Sequence, residues 1–458
     1  MKAYKYIAVI VSCFTIIACD DKLDLEPQQS LDIDTTLGDP SNIKNLLVGI
    51  YDEAAHGSAE GPNVEENIYG GELNVTAELL ANDTELAWNG TFIEPREFNL
   101  KTITTTNSWV RIIWTNGYEV INQANIVLEN LDKFDDENER NTVEGEAKFL
   151  RALTYFDLVR FYSIPYEAGQ TNSQLGVPII SESVLSPSDI TEPSRNTVEE
   201  VYNQVINDLI DSYNLLPSEN AEFADSDAAR ALLARVYLQQ GNYTLAGEAA
   251  NAVINNTSHV LTSQYENAFN NDVDSSEDLF AWQITSQDGT NDMNTFWSTR
   301  EFGGRSTSSD ISVNPEYFDV FTGSDDRANF FYEGSNTTVS SKWQSQFANI
   351  PFIRLSEMYL IRAESNQRLN TSLGAPPLDD VNTLRIRANA SVLAAITLQD
   401  ILDERKRELA FEGHAIHDAK RLQQNIGTLN YNANQLILPI PQREIDANPN
   451  LIQNNGYN

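Results

Sequence analysis

Apolar residues recur at three- and four-residue steps through much of this 458-residue chain, the spacing that gives a helix one buried face. From Ser108 to Leu131, Trp109, Ile112, Ile113, Val120, Ala124 and Val127 hold that step and predict one long helix. A charged break from Asp132 to Arg140 separates it from a second helix predicted at about 142–162, in which Phe149, Leu153 and Phe156 share a face. Pro165 closes that region, and a further amphipathic helix over 197–213 stops before Pro217.

The next stretch predicts a helical pair. Leu232, Leu233, Val236 and Tyr237 face inward from a helix over 228–240, Gly241 and Asn242 turn the chain, and Ala246, Ala249, Ala250 and Val253 line the following helix. With Tyr237, Gly241, Tyr243 and Ala246 in place the unit resembles a tetratricopeptide repeat, whose small alanines let two helices approach closely. A second pair is predicted from Leu355 to Arg368 with Leu378 to Arg387, but a strict repeat of about 34 residues is absent. The expected fold is therefore mainly α: a tetratricopeptide-like helical-repeat scaffold with long irregular loops and a few short strands. The irregular stretches are 57–100 and 270–341, rich in Gly, Asn, Ser, Thr and Asp, with Leu279 to Ile284 as a strand candidate. Loops of that length commonly carry function, so a ligand is sought there.

The N-terminus adds an address. Lys2 and Lys5 precede an apolar run from Tyr6 to Ile17, and Ala18 precedes Cys19. The run is shorter than the roughly 20 residues a membrane-spanning helix needs, and its layout is that of a secretory signal. Ile16-Ile17-Ala18-Cys19 resembles a lipobox, in which the cysteine is acylated and becomes the new N-terminus. The expected organisation is a signal peptide over 1–18, an acidic tether over 19–34 and one domain over 35–458. Several acyl chains on Cys19 would anchor the protein stably, since each buried CH2 contributes about 0.8 kcal/mol. Cys13 would leave with the signal, so stability must come from the core rather than from a disulfide. Asp20 and Asp21 resemble the acidic signal that sends lipoproteins to the cell surface in Bacteroidetes-type bacteria, and they read equally well as a solvated spacer.

Charge narrows the partners. With 30 Lys and Arg against 67 Asp and Glu, the formal net charge is −37, which disfavours nucleic acid, whose binding needs clustered cations. The same field opposes heavily sulfated or uronate-rich polysaccharides and favours a neutral ligand.

Catalytic signatures are missing. The chain has no G-x-S-x-G elbow, Walker loop or dinucleotide fingerprint. Of its four histidines only His414 and His417 lie close, and the HExxH arrangement of a zinc site is absent. Asp272, Asp274 and Ser276 imitate the start of a calcium loop, yet Glu277 stands where its turn requires Gly. No cofactor and no metal are expected.

The C-terminal third is more specific. Ile350 to Glu364, Val381 to Ala388, Glu404 to Gly413 and Leu438 to Asn450 resemble, in order, the signature of the SusD/RagB family. Trp109 with Ala124-Asn125, and Gly145 to Tyr162, extend the likeness over nearly the whole mature chain. After Gly413 the chain departs from the family pattern, with His414-Ala415-Ile416-His417-Asp418-Ala419 in place of Arg, aromatic residues and Asp-Leu. The resemblance implies a non-catalytic outer-membrane lipoprotein, facing the exterior, with four tetratricopeptide-like helix pairs. It also implies that the protein caps a SusC-like TonB-dependent transporter and captures oligosaccharides or peptides. A glycoside hydrolase is the third reading, because 67 acids offer many carboxylate pairs. Within the motifs, Arg354, Glu357 and Glu364 are expected to fix helix packing through ion pairs.

Sugar rings present flat C–H faces that suit aromatic side chains, with hydroxyls taken by amides, carboxylates and guanidinium groups. The family places binding aromatics in loops before the first long helix and after the helical repeats. In this chain those loops hold Trp88 with Asn89, and Trp297 with Arg300. These four are the candidate ligand contacts, each tryptophan being either an exposed ring or a buried anchor. Trp282 lies in the strand-like run and reads as core, and Tyr317, Phe318 and Phe321 read as helix packing.

Overall fold

The structure is a computed structural model that describes residues 36–56, 67–256, 258–287 and 289–457. Cys19, the expected signal peptide and the 19–34 tether lie outside the described residues.

The fold is mainly helical. It begins with α1 (Pro40–His56), α2 (Glu72–Ala81), strand β1 (Leu86–Trp88) and α3 (Ile93–Leu100). The long helices follow: α4 (Ser108–Glu129), α5 (Glu137–Tyr162), α6 (Val198–Leu215), α7 (Ser226–Gln239) and α8 (Tyr243–Asn255). Their ends are set by side chains that satisfy the free N–H groups of a first turn. Asn107 accepts from Trp109 and Val110 before α4, Thr197 and Glu200 form a capping box on α6, and Asn242 accepts from Leu245 before α8. The second long helix starts earlier than its apolar face indicates, because Asp136 caps it and Glu137 and Glu139 occupy its first turn. That charge, read as a break in the sequence, favours a helix N-terminus.

The rest of the chain alternates short strands and helices. Strand β2 (Asp278–Trp282), α9 (Asp292–Trp297), β3 (Ile311–Val313), β4 (Phe331–Glu333), β5 (Thr338–Ser340) and β6 (Ile350–Arg354) lead into α10 (Leu355–Leu369), α11 (Pro377–Arg387), α12 (Leu398–Leu409), α13 (Ala415–Arg421) and α14 (Gln442–Ala447). One sheet has the order β1-β3-β5-β4, and β2 pairs with β6 in a second. All strand pairs are antiparallel.

Successive long helices pack side by side, α4 on α5, α6 on both α5 and α7, α7 on α8, and α8 on α10. Close approach is built into the sequence: a Cβ on Gly247 of α8 would lie 3.0 Å from Ser365 Cβ on α10. Ala246 and Ala250 are buried on the same helix. Gly241 turns the chain between α7 and α8 with φ +71°, a conformation that favours glycine.

One expectation about the loops needs correction. The stretch 57–100, read as irregular, contains α2, β1 and α3, while residues 57–66 lie outside the described residues. Helix α2 has no alternating apolar stripe because Glu72 to Leu80 are all buried, so no periodicity could announce it. Tyr317, Phe318 and Phe321, read as helix packing, pack on and just after the 3-10 stretch Pro315–Val320, where buried Tyr317 meets Phe318, Phe321 and Phe411.

Buried ion pairs join the C-terminal elements. Arg354, at the end of β6, reaches Glu277, Glu408 and Glu412, Arg387 reaches Glu277 and Glu408, and Arg327 reaches Asp325, Glu404 and Glu408. Glu357 takes Arg235 and Arg405, and Glu364 takes Arg368 and Arg421. These carboxylates are shared among several guanidinium groups, so Glu357 and Glu408 are held far below the ordinary carboxylate range despite full burial. Trp282 is buried, stacked on Tyr69 at 4.6 Å.

Candidate functional site

Strand β1 pairs with β3 so that Trp88 lies opposite Ile311, which brings the loop after β1 against the polypeptide between α9 and β3. Trp88 is half-buried, with its ring 6.3 Å from that of Phe296. Gly90 is required beneath it, since a Cβ there would fall 2.4 Å from Trp88 Cζ2. Asn89 is exposed; its N–H donates to the Asp310 carbonyl at 2.7 Å and its Nδ2 to Ser312 Oγ at 2.9 Å. The next aromatic, Phe92, is 41% exposed and meets Phe296 edge-on at 6.1 Å.

Arg305 completes this face. Its guanidinium lies 3.5 Å over the Phe92 ring and pairs with Asp310 at 2.8 Å. The carbonyl of Arg305 accepts from Arg300 Nη2 at 3.0 Å, so Arg300, which is exposed, is tied to the same patch. Arg96 Nη2 donates to the Gly90 carbonyl at 3.4 Å. Asp310 is raised from its usual carboxylate range, chiefly by burial, with Arg305 opposing the shift. The result is a shallow face of one exposed ring, one half-covered indole, an amide and three guanidinium groups. Such a face offers stacking surface and hydrogen-bond donors and acceptors.

Of the four residues expected from the sequence, Trp88, Asn89 and Arg300 gather here, linked through Asp310 and Arg305. Trp297 does not. It is 0% exposed and its ring packs 5.0 Å from Phe411, so it presents no face to a ligand. The cause lies in α9, where consecutive side chains point about 100° apart. Phe296 turns towards Trp109, Trp88 and Phe92, which sends Trp297 into the core. Sequence reasoning missed Phe92 and Arg305, although Phe92 lies two residues beyond Gly90 in the same polar loop.

His414 and His417 are buried. Burial pushes His414 down to about 3, and His417 well below its ordinary value, while the His417 ring packs edge-on to Phe161 at 4.8 Å. Among the described residues no group of three or more His, Cys, Asp or Glu could hold a metal ion. Nor, among those residues, is any helix long and apolar enough to cross a membrane.

Comparison with known proteins agrees with this architecture. Residues 21–238 match a family described as SusD-like, starch-binding and associating with the outer membrane, and residues 327–457 match the SusD family. The chain is a member of the SusD/RagB family. It is 28% identical to SusD-like protein P2 of Formosa agariphila over an alignment covering 100% of both chains. It is also 34% identical to the starch-binding protein SusD of Bacteroides thetaiotaomicron over 127 residues, 24% of this chain and 22% of that one. A solved SusD superfamily structure from Bacteroides thetaiotaomicron superposes with a TM-score of 0.80 at 25% identity, covering 92% of this chain and 99% of the other.

Proposed function

We propose that this protein is a non-catalytic carbohydrate-binding lipoprotein of the cell surface. It captures a neutral oligosaccharide on the Trp88–Phe92–Arg305 face and delivers it to a partner TonB-dependent transporter in the outer membrane. The observation that carries the reading is the pairing of an exposed Phe92 ring with a guanidinium fixed over it. A sugar can cover the open part of that ring with its C–H face while Asn89 and the arginines take hydroxyls. The description of the matching family as starch-binding and outer-membrane-associated supports the same cargo and place. The net charge of −37 favours an uncharged glycan. Cys19 would supply the lipid and the acidic segment after it the tether.

The reading is tested by applying the purified protein to an array of neutral and acidic oligosaccharides, together with peptides, and recovering bound ligand by chromatography. Binding of neutral glycans that are recovered intact is expected. Cleaved products would replace capture by catalysis, and a response confined to peptides would replace the cargo.

A further inference from the structure

Lys101 stands at the base of the segment that carries Trp88, Asn89 and Phe92. It follows α3 directly and closes that helix with its backbone in the left-handed region, φ +57°, a conformation that a residue with a Cβ adopts at some cost. Its N–H donates to the Phe98 carbonyl at 3.2 Å. Glycine or asparagine is the usual residue for such a cap, so the lysine side chain has a reason of its own.

That side chain ends on three backbone carbonyls. Its Nζ donates to Leu79 at 3.1 Å, to Asn99 at 2.9 Å and to Asn82, so each proton of the ammonium has an acceptor. Leu79 lies in the last turn of α2 and Asn99 in the last turn of α3. The C-terminal ends of two helices, each with partial negative charge and carbonyls that lack a partner within the helix, therefore converge on one cation. Burial lowers Lys101 to about 8, with Asp83 opposing the shift, which leaves the group mostly charged at neutral pH.

Asn82 carries the link from this cation to the strand. Its carbonyl accepts from Lys101, its Nδ2 donates to the Leu86 carbonyl at 2.9 Å and to Asn99 Oδ1 at 2.7 Å, and its Oδ1 accepts from the Leu86 N–H at 2.9 Å. Leu86 opens β1 and Trp88 ends it, while Phe92 immediately precedes the first residue of α3. Both ends of the segment 82–99 are thus fastened at one place. Trp88, Asn89 and Phe92 lie between the two fastened ends.

We infer that Lys101 is a positioning residue for the binding face. Its ammonium clamps the C-terminal ends of α2 and α3 together and thereby fixes the segment that presents Trp88, Asn89 and Phe92, acting through the backbone rather than by contact with a glycan. The inference rests on the reading of that face as the place of glycan capture.

Amide hydrogen exchange read by mass spectrometry, and calorimetric titration with the neutral oligosaccharide that binds tightest on an array, test the assignment on the full chain. Lys101→Met keeps the length of the side chain and removes its charge. It should speed exchange over 82–92 about tenfold while α5 keeps the parent's rate, and weaken the oligosaccharide about tenfold, the scale of one lost polar contact. Lys101→Ala should do the same, and because Lys101 is half-buried the space it opens adjoins solvent. Propylammonium, the missing part of the side chain, should restore slow exchange and affinity to Lys101→Ala, whereas tetramethylammonium, an equal charge with no N–H to donate, should not. Unchanged exchange over 82–92 in Lys101→Met overturns the clamp. Faster exchange spread equally over α5 overturns it too, since that marks a general stabiliser, as does rescue by both cations alike or by neither. Phe92→Ala separates this inference from the reading beneath it. If Phe92→Ala weakens the oligosaccharide and Lys101→Met does not, the positioning role fails and capture on the Phe92 face stands; if neither variant weakens it, capture on that face fails and the positioning role falls with it.

Discussion

The guanidinium of Arg305 lies 3.5 Å over the ring of Phe92, held there by Asp310 at 2.8 Å. One face of a partly exposed aromatic ring is thereby occupied by the protein itself, which fixes the ring and leaves its remaining surface to a ligand. A cation over an exposed ring contributes about 0.5–1 kcal/mol, so the pair serves orientation more than stability. Arg305→Ala should shift the thermal midpoint by only a few degrees yet weaken oligosaccharide binding about threefold to tenfold, and Arg305→Lys should restore part of it. Parallel melting and titration curves check both.

Trp297 gives the opposite pattern. Its ring is fully buried against Phe411, and replacing a buried tryptophan by alanine costs about 3–5 kcal/mol. Urea unfolding of Trp297→Ala should show a loss on that scale, whereas the affinity of the folded protein for its glycan should stay close to the parent's.

Glu408 joins Arg354, Arg387 and Arg327, and its carboxyl is held far below the ordinary range although burial opposes this. Removing its charge leaves buried cations short of a partner, so Glu408→Gln should destabilise the fold by about 3–5 kcal/mol at pH 7. The sign with pH follows from the depressed value. The carboxylate's contribution is complete above the ordinary glutamate pKa of about 4.3 and is lost as pH falls below it. The gap between parent and variant should therefore narrow under acid in denaturation measured across that window.

Glu78 behaves in reverse. Burial raises its carboxyl to about 7, against hydrogen bonds from the backbone of Gly413 and Ala415. A raised acid favours the folded state while protonated, so its contribution is present below the ordinary value and lost as pH rises from about 4.3 towards 7. Glu78→Gln carries no such titration and should gain on the parent by a few kcal/mol across that interval. Denaturant midpoints of the two proteins at a series of pH values check the slope.

The long helices and the family were legible in the sequence because their signals are local: periodic apolar faces, capping residues and ordered motifs. Helix α2 was not, because burial on every side erases the periodicity that marks a half-buried helix. On the proposed binding face, Trp88, Asn89 and Arg300 could be picked out from the polar loops in which the resembled family places binding aromatics. The assignment of Trp297 depended on which of two consecutive aromatics on a six-residue helix turns outward, and the packing of Phe296 against Trp109 decides that. Arg305 gains its role only from the fold, through an aromatic and an acid reached from different segments.

The central claim is capture of a neutral oligosaccharide on the Phe92 face, and calorimetric titration of the parent and Phe92→Ala with one glycan identified by array tests it most directly. Phe92 is 41% exposed, so the variant should fold and melt as the parent does. The account predicts an affinity about tenfold lower, the scale of an aromatic stacking contribution of up to about 1.5 kcal/mol. Equal affinity in the two proteins would contradict it.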